Sequence, residues 1–325
     1  MTFHTARITR AMLALALLAP GWPGTRLQAQ EKAAAVETIQ IRPNVYVIFG
    51  GGANVTAHVG DDGVLLVDSG SAARAEDVLA AVRAISHRPV RYIINTSADE
   101  DAVGGNDALS RGGSSPVDDS FSDEPRAAIV AHENVLTRLS TGEPAAPADT
   151  WPSETFTSRY RSLYLNDDAI QIIRQTGAHS DADAVVHFRR ADVIVTGAVL
   201  DLRHFPVIDP ARGGSIQGEL AALNRLLELT VPAMPLVLNA GRTLLVPGHG
   251  RVADYAELVE YRDMLTIIRD VVDDMIKRGM TLQQVQAANP TAGYRARWGR
   301  ESGQWTTAMF VAAVFNGLKN GPPRS

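Results

Sequence analysis

The sequence predicts an α/β protein in which β-sheets lie inside layers of helix. Three observations lead there. Short β-branched segments separated by glycine turns fill residues 44–70. A strand–helix alternation follows, and a second strand-rich stretch from 169 to 197 then gives way to amphipathic helices. A β-rich half, then helices, then a second β half with helices is the pattern of sheets covered by helical layers.

NVYVIFG (44–50), NVTAHVG (54–60) and GVLLVDSG (63–70) read as consecutive antiparallel strands. Gly-Gly-Gly at 50–52 and Asp-Asp-Gly at 61–63 supply the tight turns between them. SAARAEDVLAAVRAIS (71–86) puts Ala and Val at helical spacing, with Ser71 as the candidate cap. VRYIIN (90–95) is a buried strand that runs into a loop of small and acidic residues. AAIVAHE (127–133) is a strand leading into the helix ENVLTRLS. Residues 140–157 are Pro-rich and aperiodic, so they read as a surface loop. AIQIIRQ (169–175), AVVHF (184–188) and DVIVTG (192–197) are strands. SIQGELAALNRLLEL (215–229) is an amphipathic helix, and TLLVPGHG (243–250) is a strand ending in a loop. Leu258, Tyr261, Leu265, Ile268 and Val272 share one face of a long helix over 252–278. Helical patterns at 281–288 and 305–318 follow.

Composition narrows the function classes. The 325 residues are 45% hydrophobic and 21% charged, which is ordinary for a globular chain. Lys+Arg number 31 against Asp+Glu 36, so nothing supplies the basic face that nucleic-acid binding requires. Cysteine is absent, which excludes disulfides, thiolate metal ligands and a cysteine nucleophile.

The N-terminus reads as a secretory signal peptide over residues 1–29. Arg7 and Arg10 precede the apolar run AMLALALLAP, and small or helix-breaking residues follow up to Ala29. That run is far shorter than the roughly 20 residues a membrane-spanning helix needs, so no stable membrane insertion is expected. Its removal deletes three arginines and no acid, taking the net charge from −5 to −8. The expected location is the periplasm or the medium.

Four turns at strand ends carry the chemistry: NTSADEDAVGGN (95–106), GAHSDAD (177–183), VTGAVLD (195–201) and VPGHG (246–250). Loops at strand ends are where side chains distant in sequence converge. Read alone, the Asp-rich loop is a solvated turn whose carboxylates cap the next helix. A lone histidine such as His179 is more often structural than a ligand. With VLLVDSG, the Gly-Gly-Asn at 104–106, His179 and the PGHG at 247–250, the chain resembles the metallo-β-lactamase-fold hydrolase superfamily over roughly residues 40–275.

That resemblance implies an αββα sandwich, with a metal site at one edge. It places the main domain at 30–280 and a C-terminal helical extension at 281–325. The family's H-x-H-x-D-H signature falls on Ser97, Asp99, Asp101 and Ala102, so only Asp101 matches. His179 and His249 match the later histidines, and Ala198 stands where the family has a metal-bridging aspartate. The departures are small or short side chains, so the pocket is expected to have room at each of them.

One metal pocket then keeps Asp99 and His179, and the other keeps Asp101 and His249. Each is short of the three protein ligands a catalytic zinc normally has. The four together form a plausible set for one zinc or another divalent cation, weakly held. Asp181 and Asp183 are further candidate oxygens. Asp68 is either a support for the Asp101 loop or a turn cap. His58, His87, His132, His187 and His204 have no ligand position. Trp298, Trp305 and Phe310 belong by default to helical core, with a pocket wall or a dimer contact as the alternative.

The expected function is an exported hydrolase-like protein acting on a small molecule with an ester, amide or lactam bond. Asp101 would orient a cation-bound water or accept its proton. The alternative is a catalytically inactive binding protein that keeps the fold. A metal-free enzyme working through its acid–imidazole pairs is a third reading.

Overall fold

Two sheets account for every strand among the described residues. The computed structural model describes residues 35–116, 125–233 and 241–320. The proposed signal segment lies outside them. The first sheet has seven strands in sequential order. They are β1 (Glu37–Arg42), β2 (Val45–Phe49), β3 (Val55–Gly60), β4 (Gly63–Val67), β5 (Val90–Ile94), β6 (Ala128–His132) and β7 (Glu154–Phe156). Strands β1 to β4 are antiparallel neighbours, and β4 to β7 are parallel. The change follows from the connections. The Asp61–Asp62 turn permits a hairpin, whereas helix α1 (Ala75–Ile85) makes a crossover between β4 and β5. Two short helices, α2 (Glu100–Val103) and α3 (Asn106–Ser110), interrupt the next crossover, and α4 (Glu133–Thr141) lies in the one after.

The second sheet holds β8 (Tyr160–Leu165), β9 (Asp168–Arg174), β10 (Ala184–Phe188), β11 (Val193–Asp201) and β12 (Leu244–His249), in the order β12-β11-β10-β9-β8. Only β11 and β12 are parallel, joined through α5 (Ile216–Leu229). After β12 come α6 (Tyr255–Lys277), α7 (Leu282–Ala288), α8 (Arg295–Trp298) and α9 (Thr307–Asn320).

Alternation along the strands builds four layers. In β4, Leu65 and Val67 face the second sheet and pack with Ile170, Ile172, Val186 and Val195. Val64 and Leu66 face the other way, onto Val78 and Val82 of α1. The outer face of the second sheet meets α5, α6 and α9 through Ile194, Leu223, Leu265 and Phe310. Each such side chain is fully buried and contributes about 1.5–3 kcal/mol relative to exposure. The helix-on-sheet, sheet-on-sheet order is the αββα sandwich expected from the resemblance.

Some local expectations fail. Ser71 makes no side-chain capping bond. The stretch 140–157 is not all surface loop: it contains β7, whose Phe156 is buried. Strands β1 and β8 went unrecognised because both are edge strands with exposed faces. Strand β11 runs on past residue 197 to Asp201, which matters for the site.

Trp298 and Phe310 are core residues, as the default reading had it. Trp305 is half-buried: it packs against that core and also lines a cleft. No helix among the described residues is long and apolar enough to cross a membrane.

Candidate functional site: two imidazole–carboxylate pairs in one cleft

The four strand-end turns meet at one edge of the sandwich, around a cleft of about 710 Å³. Asp99, Asp101, His179, Ala198 and His249 all line it. The residues that sequence reasoning singled out therefore share one cleft. It grouped Asp99 with His179 and Asp101 with His249, as metal ligands; the structure brings the same two pairs into direct contact and adds Asp201.

His179 sits in the turn between β9 and β10. Asp183 closes that turn by accepting the Ser180 N–H and hydroxyl, both at 2.7 Å. The Asp209 N–H is held by the His179 carbonyl at 2.9 Å. The imidazole Nδ1 lies 2.9 Å from the Val207 carbonyl, which makes it a donor. Its Nε2 is 3.0 Å from Asp99 Oδ2, too far off the N–H direction for a well-aligned hydrogen bond but close enough for an ion pair. Burial opposes charge on His179, yet Asp99 outweighs it and lifts the pKa to about 10. Burial would likewise raise Asp99, but His179, the Ser97 hydroxyl at 3.0 Å and Arg212 bring its pKa down to about 2. Asp99 does precede α2, but its side chain caps nothing.

His249 ends β12 and is engaged on both sides. Its Nε2 is 2.7 Å from Asp101 Oδ2, and its Nδ1 is 3.3 Å from Asp201 Oδ2. Burial again opposes the charge, and the two carboxylates override it to give a pKa of about 9. Asp201 also receives the Arg203 N–H at 2.7 Å, and His204 Nε2 lies 3.4 Å away. Burial works against the Asp201 carboxylate, but His249, His204 and that N–H hold its pKa below the ordinary value. Asp201 and His204 were missed because β11 was ended too early and His204 was assigned to background. The signal was present: Asp201 and His204 stand three residues apart, directly after the position of Ala198.

Two supports behind the loops are buried. Asp68, at φ 60°, accepts the Thr96 N–H and hydroxyl at 2.8 Å each, so it anchors the loop that carries Asp99 and Asp101. Burial pushes its pKa up to about 7, with Thr96 partly offsetting and Asp101 and Asp99 adding to the rise. Gly197 lets β11 pass this anchor, since a Cβ there would meet Thr96 Oγ1 at 2.3 Å.

Other expectations need correction. Asp181 points to Arg138, and Asp183 is spent on Ser180, so neither adds an oxygen to the cleft. Ser97 and Ala102 do not line the cleft; Ala102 sits in an apolar cluster with Val103, Val135 and Leu139. Room for a longer side chain exists at Ala198 but not at Ala102.

The pattern of the metallo-β-lactamase superfamily matches residues 48–249, well over half of the chain, and ends on His249. The chain belongs to the metallo-β-lactamase superfamily. Solved structures agree on the fold. A metallo-β-lactamase from Pontibacter korlensis is 18% identical, with a TM-score of 0.56, covering 71% of this chain and 99% of that one. The sec-alkylsulfatase Pisa1 from Pseudomonas sp. is 14% identical, with a TM-score of 0.61, covering 89% of this chain and 52% of that one. The DIM-1 metallo-β-lactamase is 14% identical, with a TM-score of 0.54, covering 73% and 99%. No curated protein matches the chain.

Members of the metallo-β-lactamase superfamily usually bind zinc. The donor set of this member does not fit a zinc pair. Among the described residues, no group of three or more His, Cys, Asp or Glu side chains comes together as a metal cluster. Both nitrogens of His249 face carboxylates, and the Arg212 guanidinium stands 3.3 Å from Asp99. A cation would have to displace these contacts, and the Asp99–His179 half would still offer fewer than the three protein ligands a catalytic zinc normally has.

Proposed function

We propose that this member of the superfamily is an exported small-molecule-binding protein that keeps the hydrolase fold without a zinc centre. The observation that carries the reading is the donor set: each imidazole of the site is committed to a carboxylate. A charged histidine has no lone pair to offer a metal. Asp99–His179, neutral as a pair, and Asp101–His249–Asp201, with one negative charge in excess, then act as fixed charged groups on the floor of a polar cleft. Such a floor can orient a ligand through hydrogen bonds while the surrounding cleft removes it from water. The neighbours in fold are named for a lactamase and for an alkylsulfatase, so likeness does not choose the ligand.

A second reading has one observation in its favour. Asp99, Asp101, His179 and His249 all line the same cleft. A one-cation hydrolase of an ester, amide or lactam, with Asp101 as the base, would use them together.

Elemental analysis of protein purified without chelator, with a zinc titration at neutral pH, separates the two. Binding protein predicts well under one zinc per chain and no hydrolysis of a chromogenic β-lactam or nitrophenyl ester. One tightly held zinc, with hydrolysis lost on chelation, would replace the first reading by the second. Export is part of the proposal. N-terminal sequencing of protein from the producing cell should begin near residue 30, and a chain that retains Met1 removes that part.

A further inference from the structure

The cleft has a wall that the superfamily's matched region does not include. The match ends at His249, yet Arg300, Ser302, Gly303, Gln304 and Trp305 line the same cleft as His179 and His249. The segment is held at its base: the Arg300 N–H donates to the Thr307 hydroxyl at 2.9 Å, and the Thr307 N–H donates to the Arg300 carbonyl at 2.8 Å. Its far end is pinned by the Trp305 indole N–H, which donates to the Pro206 carbonyl at 3.1 Å. Arg300 also donates to the Arg203 carbonyl, so the wall is tied at two points to the loop that holds His204 and Val207. Val207 in turn accepts from His179. Gly303, at φ 104° with open space around its Cβ position, turns the backbone between these anchors.

The charges of the cleft are unevenly spent. Asp99 faces His179 and Arg212, and Asp101 faces His249. Asp201 is shared by His249, His204 and Arg203, and Glu100 accepts the Ala72 N–H. Asp99, Asp101 and Asp201 are thus paired with cations, while the Glu100 partner is a backbone N–H. Arg300 donates to two backbone carbonyls, Gly299 and Arg203, and among the described residues no carboxylate lies within ion-pair distance of its guanidinium. Its positive charge has no carboxylate in contact, and it stands on the same short segment as the Trp305 ring. An indole wall offers a large apolar face with little side-chain freedom to lose, and a guanidinium recognises planar anions through paired donors.

We infer that Arg300 and Trp305 are specificity residues and that the ligand is an organic anion with a flat apolar body. The inference deepens the binding function proposed above and rests on it only for the location of the cleft.

The test uses the full mature protein with 2-naphthoate as the anionic probe. 2-Naphthalenemethanol serves as its neutral counterpart, naphthylmethylammonium as its cationic counterpart, and acetate as an anion without the apolar body. Calorimetry should show naphthoate binding more tightly than the other three. Trp305→Leu should weaken naphthoate and the neutral alcohol alike by about tenfold, the scale of losing one aromatic anchor. Trp305→Phe should retain most of the binding. Arg300→Gln should weaken naphthoate by about tenfold and leave the alcohol unchanged. Should Trp305→Leu fail to melt cooperatively, Trp305→Phe and Arg300→Gln decide. Cation binding as tight as anion binding, or naphthoate affinity unchanged in Arg300→Gln, overturns the inference. Zinc content is measured on the same samples. Tight zinc with intact naphthoate selectivity sinks the binding-protein reading alone, and zinc-free protein without selectivity sinks this one alone.

Discussion

Asp201 Oδ2 lies 3.3 Å from Nδ1 of His249, while the other nitrogen of the ring lies 2.7 Å from Asp101. The imidazole is thus clamped between two carboxylates that line the cleft, Asp201 the more deeply buried of the two. Asp201→Asn keeps the shape and removes the charge. It should lower the His249 pKa from about 9 and destabilise the fold by about 1–3 kcal/mol, the range for leaving a buried polar group short of its partner. NMR titration of the His249 ring and urea denaturation measure both effects. An unshifted His249 would show that Asp201 does not govern it.

Stability should depend on pH in a defined direction. The pKa values of His179 and His249 are raised in the fold to about 10 and about 9. Their stabilisation is complete below the unfolded value near 6.5 and is lost as pH climbs through the folded values. Asp99, lowered to about 2, adds stability that is present above its unfolded pKa and lost as pH falls toward 2. Asp68, raised to about 7, favours the fold at acid pH and loses that benefit as pH rises from about 4 to 7. All three trends place the maximum at mildly acidic pH, with a falling melting temperature from pH 6.5 to 10. A flat profile across that alkaline range would contradict the two ion pairs.

Chelation should leave the fold unaffected. A ligand that binds only the native state stabilises it by mass action, so a protein with no bound zinc gains nothing from zinc and loses nothing to chelator. Calorimetric melting with and without EDTA should give the same midpoint. A drop of several degrees on adding chelator would point to a structural metal.

Glu219 on α5 is fully buried, and neither carboxyl oxygen has a hydrogen-bond partner among the described residues. Burial, with Asp183 adding, holds its pKa well above the ordinary value, so the group stays protonated. Glu219→Met should raise stability by about 1–3 kcal/mol, because an apolar side chain of similar length avoids the cost of burying the carboxyl. Urea unfolding at pH 7 decides, and a destabilised variant would mean that the carboxyl has partners in solution.

Ala102→His should not restore a ligand. Ala102 is 3% exposed and packed among apolar side chains, so an imidazole there overfills the cluster at a cost of about 1–3 kcal/mol. Zinc titration of the folded variant should match the parent. A gain in zinc affinity would show that the α2 loop can reorient.

Hydrophobic alternation alone determined most of this molecule. The runs at 45–49, 63–67, 184–188 and 193–195 are apolar enough to specify buried strands, and Ser215 before Ile216 marks a capped helix start whatever surrounds it. Glycine and histidine at strand ends marked the turns that share the cleft. Only the tertiary structure decided how those residues meet. Asp99 and His179 are 80 residues apart in the chain, and Asp101 and His249 are 148 apart, so no local pattern states that each imidazole meets a carboxylate. The same holds for Asp201, whose role depends on β11 continuing beside β12, and for Trp305, which a helical pattern could place as readily in the core as in the wall of the cleft. Local periodicity encodes which face of an element is buried. Long-range packing sets which charged groups share one cleft, and therefore whether two histidines are free to bind a metal or are held as ion pairs.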